Sequence, residues 1–137
     1  MTVIADSNIL YALYNARDDY HREAIAFVSQ NNETLLVPNV TLPEVCYLLT
    51  RDIGYFGLQR FLGYFTRLNA QLVSIELDDL NRVREIAIAY ADAEFDIVDC
   101  CIMAIAERLN VTHIATFDRR DFSVFRPRHC EYLELLP

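Results

Sequence analysis

The sequence predicts a three-layer α/β/α sandwich around a central, mostly parallel sheet, and three observations carry that expectation. Short apolar runs such as Val3-Ile4-Ala5 and Leu35-Leu36-Val37 alternate with longer amphipathic segments. Strands separated by helical segments need crossover connections, which make a parallel sheet covered on both faces. The length, 137 residues with 53% hydrophobic, suits one core, so residues 1–137 read as a single domain. The chain shows no repeat, no low-complexity tract and no flexible linker.

Taken in order, residues 2–5 form a brief strand ending at Asp6, and residues 8–15 follow as a helix that Asp6 or Ser7 can cap. Residues 18–30 read as a second helix with Ala24, Phe27 and Val28 on its apolar side. Residues 35–37 are a strand ended by Pro38. Residues 41–50 are helical, and Thr41 with Glu44 has the spacing of a capping box. Gly54 and Gly57 mark a break before an aromatic-rich helix over 58–68, and 71–75 read as a third strand. Helices over 78–90 and 96–109, a strand over 113–116 and a last strand over 132–135 complete the pattern.

Composition removes several chemistries. All twelve basic residues are arginine, so there is no P-loop lysine and no Schiff-base lysine. The three glycines, Gly54, Gly57 and Gly63, lie in one stretch and build neither a dinucleotide-binding turn nor a nucleophile elbow. The four cysteines lack metal-ligand or secreted-framework spacing and read as buried small hydrophobes. The N-terminus carries no cationic, apolar leader and no run is long enough to span a bilayer, which points to a cytoplasmic protein with no membrane partner. The net charge of −8 weighs against nucleic acid, whose binding rests on basic side chains. Any chemistry must come from carboxylates.

Those carboxylates are placed suggestively. Asp6 directly follows the first strand, and Asp118 lies two residues beyond Thr116 at the end of the fourth. In parallel sheets ligands bind beyond such strand ends. Asp96 and Asp99 share the start of one helix, and Glu44 sits in the first turn of another. Gathered at one edge, they would repel each other until a hard divalent cation, Mg²⁺ or Mn²⁺, joined them. A metal so held activates water and stabilises phosphoryl charge, which makes phosphodiester hydrolysis the natural reaction. Each residue also has a local reading: Asp6 and Asp96 as helix caps, Glu44 as half of a capping box, Asp99 as a first-turn charge, Asp118 as a turn former.

Three blocks turn this pattern into a resemblance. They are Val3-Ile4-Ala5-Asp6-Ser7-Asn8, then Val37-Pro38 with Pro43-Glu44-Val45, then Asp96-Ile97-Val98-Asp99 running on to Ala115-Thr116-Phe117-Asp118-Arg119-Arg120-Asp121. In order and spacing the chain resembles a PIN domain, and more closely the VapC-type toxin ribonucleases of type II toxin–antitoxin modules. The resemblance implies catalytic, metal-binding roles for Asp6, Glu44, Asp99 and Asp118. It places Ser7, Asn8 and Thr116 as polar supports. Asp96 reads as a helix cap and Asp121 as an ion-paired or water-mediated group. Arg119, Arg120, Arg126 and Arg128 are candidates to grip RNA, or else a basic rim paired with acidic neighbours.

The implied protein is a Mg²⁺- or Mn²⁺-dependent endoribonuclease acting on an RNA substrate, a homodimer, inhibited by a cognate antitoxin. The alternatives are a PIN nuclease of RNA processing or of DNA outside any toxin module, and a catalytically silent binding module. The Cys100-Cys101 pair departs from the small residues usual in the family. The aromatic stretch Tyr55, Phe56, Phe61, Tyr64 and Phe65 fits core packing, or else an antitoxin or dimer surface.

Overall fold

The computed structural model describes residues 2–137. Its strands are β1 (Val3–Ala5), β2 (Leu35–Pro38), β3 (Ala70–Val73), β4 (His113–Ala115) and β5 (Glu134–Leu136). They pair in the order β3-β2-β1-β4-β5, every neighbour parallel. The helices are α1 (Ser7–Tyr14), α2 (His21–Gln30), α3 (Thr41–Phe65), α4 (Leu77–Ala89), α5 (Ile97–Leu109) and α6 (Arg120–Val124).

The apolar runs are explained by the two helix layers. Ile4, Leu36 and Ile114 point to the side of α4, α5 and α6, where they meet Ile86, Ile102, Met103 and Phe122. Their neighbours point the other way. Ala5 and Val37 pack on Leu10, Val45, Leu49 and Phe61, while Val3, Leu35 and Ala115 pack on Ile9, Phe27 and Val28. A strand with apolar partners on both faces has no solvent side, so it cannot alternate with polar residues. Chain order turns at β1: the chain moves outward through β2 and β3, then returns to lay β4 on the other side of β1. That reversal opens a crevice beyond the carboxyl ends of β1 and β4.

Several boundaries differ from expectation for local reasons. The second helix starts at His21 instead of residue 18, because Asp18 builds a turn: its side chain accepts from the Tyr20 amide at 2.8 Å and its own amide donates to Asn15 O at 3.0 Å. The capping box between Thr41 and Glu44 does not form. Val40 occupies the cap position, and the Thr41 hydroxyl turns back to donate to Pro38 O at 2.8 Å. A reciprocal box stands instead at α4, where the Glu76 amide donates to Asp79 at 2.9 Å and the Asp79 amide returns to the Glu76 side chain. The expected break in the third helix is a kink at Gly54 (φ 81°, ψ 174°), with Thr41–Phe65 otherwise helical. The short α6 was not expected, since five residues are too few to show a helical period.

Gly54 sits in backbone territory that is nearly closed to residues with a Cβ. Gly63, in the same helix, has ordinary φ and open space around an added Cβ. Gly54→Ala should therefore lower the unfolding free energy by about 1–3 kcal/mol in urea titrations. Gly63→Ala should hold or raise it by up to about 1 kcal/mol.

Candidate active site

The parallel register pairs Ala5 with Ala115, so β1 and β4 end side by side. The next residue on β1, Asp6, extends this pairing by donating its amide to Ala115 O at 2.9 Å. Asp6 caps α1: its Oδ1 accepts the Ser7 amide at 2.7 Å. Its other oxygen accepts the Thr116 hydroxyl at 2.9 Å. The local and the functional readings of Asp6 thus share one geometry, because a capping carboxylate at a strand end is also aimed into the crevice.

Thr116 ties the two strand ends together. Besides serving Asp6, its hydroxyl oxygen accepts from Asn8 Nδ2 at 3.1 Å and from the Asp118 amide at 3.1 Å. Asn8 closes the ring by accepting the Phe117 amide at 3.1 Å. Asp118 accepts the Arg120 amide at 3.1 Å, which makes it a turn residue as well as a pocket residue.

Asp96 caps α5 by accepting the Val98 amide at 2.9 Å, and Asp99 lies in the first turn of that helix. Behind them, buried Asp121 accepts the Asp96 amide at 3.1 Å and Arg120 Nε at 3.1 Å. Together Asp6, Ser7, Asn8, Glu44, Asp96, Asp99 and Asp118 line one pocket of about 310 Å³, with Tyr11 and Leu48. Glu44 projects into it from the first turn of α3 and makes no hydrogen bond among the described residues.

No basic side chain lines this pocket, and the carboxyls respond. Burial drives Asp99 up to about 9, with the charges of Asp6 and Asp121 adding to it and a hydrogen bond to Asp121 holding its proton. Burial lifts Asp6 to about 6 against the hydrogen bonds from Thr116 and Ser7, and Glu44 adds to the rise. Asp121 goes the other way: hydrogen bonds from Asp99, the Asp96 amide and Arg120 outweigh its burial and hold it below the ordinary carboxylate range. Among the described residues no three acidic, histidine or cysteine side chains close into a finished metal-ligand set. They stand around an open pocket, as crowded like charges do. The donors are all oxygen with no competing cation, which suits a hard divalent ion that several carboxylates and water can share.

The four arginines expected to grip RNA or to form a basic rim paired with acidic neighbours stand outside the pocket lining. Arg120 pairs with Asp121 and Arg128 with Glu85. Arg119 donates to Pro137 O, and Arg126 to Ser123 O and Phe125 O. None of the four lines the acidic pocket. Tyr11 is the residue that sequence reasoning missed. Its hydroxyl meets Asp52 and accepts from Asn15 Nδ2 at 2.9 Å. The signal was there: Asn8, Tyr11 and Asn15 fall at i, i+3 and i+7, a polar stripe on a mostly apolar helix.

An α/β sandwich with its acids gathered beyond the carboxyl ends of β1 and β4 is what this fold and pocket define. The chain belongs to the PIN domain family, whose model matches residues 3–126. Among curated proteins it is similar to ribonuclease VapC26 of Mycobacterium tuberculosis, 24% identical over 125 residues, covering 91% of this chain and 93% of the relative. Among solved structures it is similar to M. tuberculosis VapC20, described as a sarcin–ricin loop cleaving toxin, with TM-score 0.82, 20% identity, and 93% of this chain and 98% of that chain covered. VapBC2 from Rickettsia felis, bound to a DNA fragment from its promoter, matches at TM-score 0.72 with 17% identity, covering 98% and 97%. A toxin–antitoxin complex from Klebsiella pneumoniae matches at TM-score 0.69 with 22% identity, covering 90% and 92%.

The raised carboxyls make the metal-free protein pH-sensitive in a definite direction. Folded Asp6 and Asp99 hold protons that the unfolded chain releases near 3.8. Their contribution is complete below that value and is lost as pH rises through about 6 and about 9. Asp121, held low, changes charge only below this window. In chelator, thermal melts should show stability falling between about pH 4 and 9, less steeply for Asp99→Asn, which has no proton to lose.

Proposed function

We propose that this protein is a metal-dependent endoribonuclease of the VapC type, the toxin of a toxin–antitoxin pair. The observation that carries the reading is the convergence of Asp6, Glu44, Asp96, Asp99 and Asp118 on one pocket free of basic side chains. The relatives named as ribonucleases and toxins support the substrate class. Those solved as toxin–antitoxin complexes support an antitoxin partner.

Asp6, Glu44, Asp99 and Asp118 would hold the ion, Mg²⁺ or Mn²⁺. Bound there, it would activate water and neutralise charge on the scissile phosphate. The chain's own groups do the positioning. Thr116 and the Ser7 amide fix both oxygens of Asp6, so that this carboxylate is presented in one orientation. Asp121 anchors the entry to α5 through the Asp96 amide and takes the Asp99 proton contact in the metal-free state. Asn8 and Thr116 keep the β4–α6 turn, with Asp118, against α1.

Asp6→Asn and Asp99→Asn should each reduce cleavage of single-stranded RNA about 10³-fold, the loss of several kcal/mol of charge stabilisation. Retained cleavage in both would overturn the assignment. Thr116→Val, which removes only support for Asp6, should cost about 10- to 100-fold. Chelation should abolish activity in the wild type, and Mg²⁺ or Mn²⁺ should restore it. Co-expression with a cognate antitoxin should silence the enzyme and yield a stable complex on size-exclusion chromatography.

A further inference from the structure

The acidic pocket has no cationic side chain with which to hold the phosphates that flank a scissile bond, and Arg119, Arg120, Arg126 and Arg128 do not line it. A second cavity supplies what is missing. It measures about 660 Å³ and lies between the end of α1, the turn into α2 and the second half of α3. Arg17, Arg60 and His21 contribute to its lining, together with Phe56, Tyr14 and Tyr64.

The two cavities share a wall. Tyr11 lines the acidic pocket, and its hydroxyl is bonded to Asp52 and Asn15, which both line the larger cavity. Among the described residues neither Arg17 nor Arg60 has an ion-pair partner, and Arg60 sits over the Tyr64 ring at 5.8 Å. Arg51, Arg82, Arg108, Arg120 and Arg128 are tied to carboxylates, and Arg22, Arg67, Arg84, Arg119 and Arg126, which make no ion pair among the described residues, do not line this cavity. Asp52, the acid in this lining, is already engaged by Arg51 and Tyr11. His21 donates Nδ1–H to Ala12 O at 2.7 Å, which leaves Nε2 as the ring's remaining polar atom. Phe56 is 71% exposed at the border of this cavity, whose lining mixes polar and aromatic side chains.

Unpaired guanidinium groups beside exposed aromatic rings are the chemistry that holds single-stranded nucleic acid, cations on phosphate and rings on bases. We infer that this cavity is an accessory subsite for the single-stranded RNA on one side of the cleavage point, with Arg17 and Arg60 on its phosphates and Phe56 on a base. The inference rests on the ribonuclease reading of the acidic pocket. It also explains how a chain of net charge −8 engages RNA: the contact needs a local pair of free arginines, not an overall basic surface. The kink at Gly54 belongs to the subsite, since it sets the direction of the helix that carries Phe56, Arg60 and Tyr64.

The test compares cleavage of a ten-nucleotide RNA with that of a dinucleotide, using the full chain with Mg²⁺ or Mn²⁺. The double variant Arg17→Gln/Arg60→Gln should shrink the preference for the longer substrate at least tenfold, chiefly through KM. Anisotropy titrations of the same RNA in chelator should show its log–log salt slope reduced by about 1.4, the value for two phosphate contacts on a single strand. Phe56→Ala should weaken RNA binding by about tenfold. Arg22→Gln/Arg67→Gln removes equal charge from outside the cavity and should keep the wild-type preference. An unchanged preference in the Arg17/Arg60 variant, or an equal loss in the Arg22/Arg67 control, overturns the subsite. Loss of complex with a cognate antitoxin while RNA handling stays wild type would make the cavity a protein dock and likewise overturn it. Asp6→Asn and Asp99→Asn separate the two levels: if both still cleave both substrates, the assignment of catalysis to the acidic pocket has failed, whereas their inactivity beside a normal Arg17/Arg60 variant removes the subsite alone.

Discussion

Crowded carboxylates without a neighbouring cation are the constraint around which the rest of this structure is arranged. Parallel pairing of β1 with β4 sets Asp6 and Thr116 side by side, and α5 and α3 bring Asp99 and Glu44 to the same pocket. Burial and mutual charge then force protons onto Asp99 and, in part, Asp6. Such an arrangement is unfavourable for the isolated chain and becomes favourable only with a partner of opposite charge, which is why it reads as function.

The scaffold offsets that strain away from the pocket. Arg82 binds both oxygens of Glu107, and Arg108 binds buried Asp79, so two ion pairs clamp α5 onto α4. The same Asp79 closes the capping box of α4. Breaking either pair would leave a partly buried charge alone, which costs more than the pair itself contributes. The consequence for the site is rigidity: the helix that presents Asp99 is held at its far end by Arg108 while Asp121 anchors its start through Asp96. Cys100 and Cys101 are buried in that helix and pack into the core on α4 and α6.

Local rules were sufficient wherever an element carries its own signal. The apolar strands, the break at Gly54 and the α5 cap at Asp96 could all be read from neighbours in the chain, whereas Pro38, expected to end its strand, is the last residue of β2 and pairs with Val73. They were insufficient where a side chain chose a distant partner over a near one. Thr41 and Glu44 have capping-box spacing, but Thr41 prefers Pro38 O and releases Glu44 to the pocket. The aromatic stretch likewise divides: Phe61 is buried against Tyr14 and Phe65, while Tyr55 and Phe56 stay exposed. Residue type could not separate them: all follow the Gly54 kink, and helical phase sets Phe61 and Phe65 on the inward face while Tyr55 and Phe56 fall off it.

The sequence by itself determined the architecture and the inventory of the site. Apolar strand length, helix signals and acids placed just beyond strand ends are properties of residues close together in the chain. It also determined that any grip on phosphate must come from arginine. Only the tertiary structure decided where each arginine stands relative to the pockets. Arg119, Arg120, Arg126 and Arg128 lie near the acidic block in sequence, yet none of them lines the acidic pocket, and their side chains bind other groups. Arg17 and Arg60, far apart in the chain, meet in one cavity behind Tyr11. Whether a charge is paired or free depends on which elements the fold packs against it, and spacing along the chain carries no record of that.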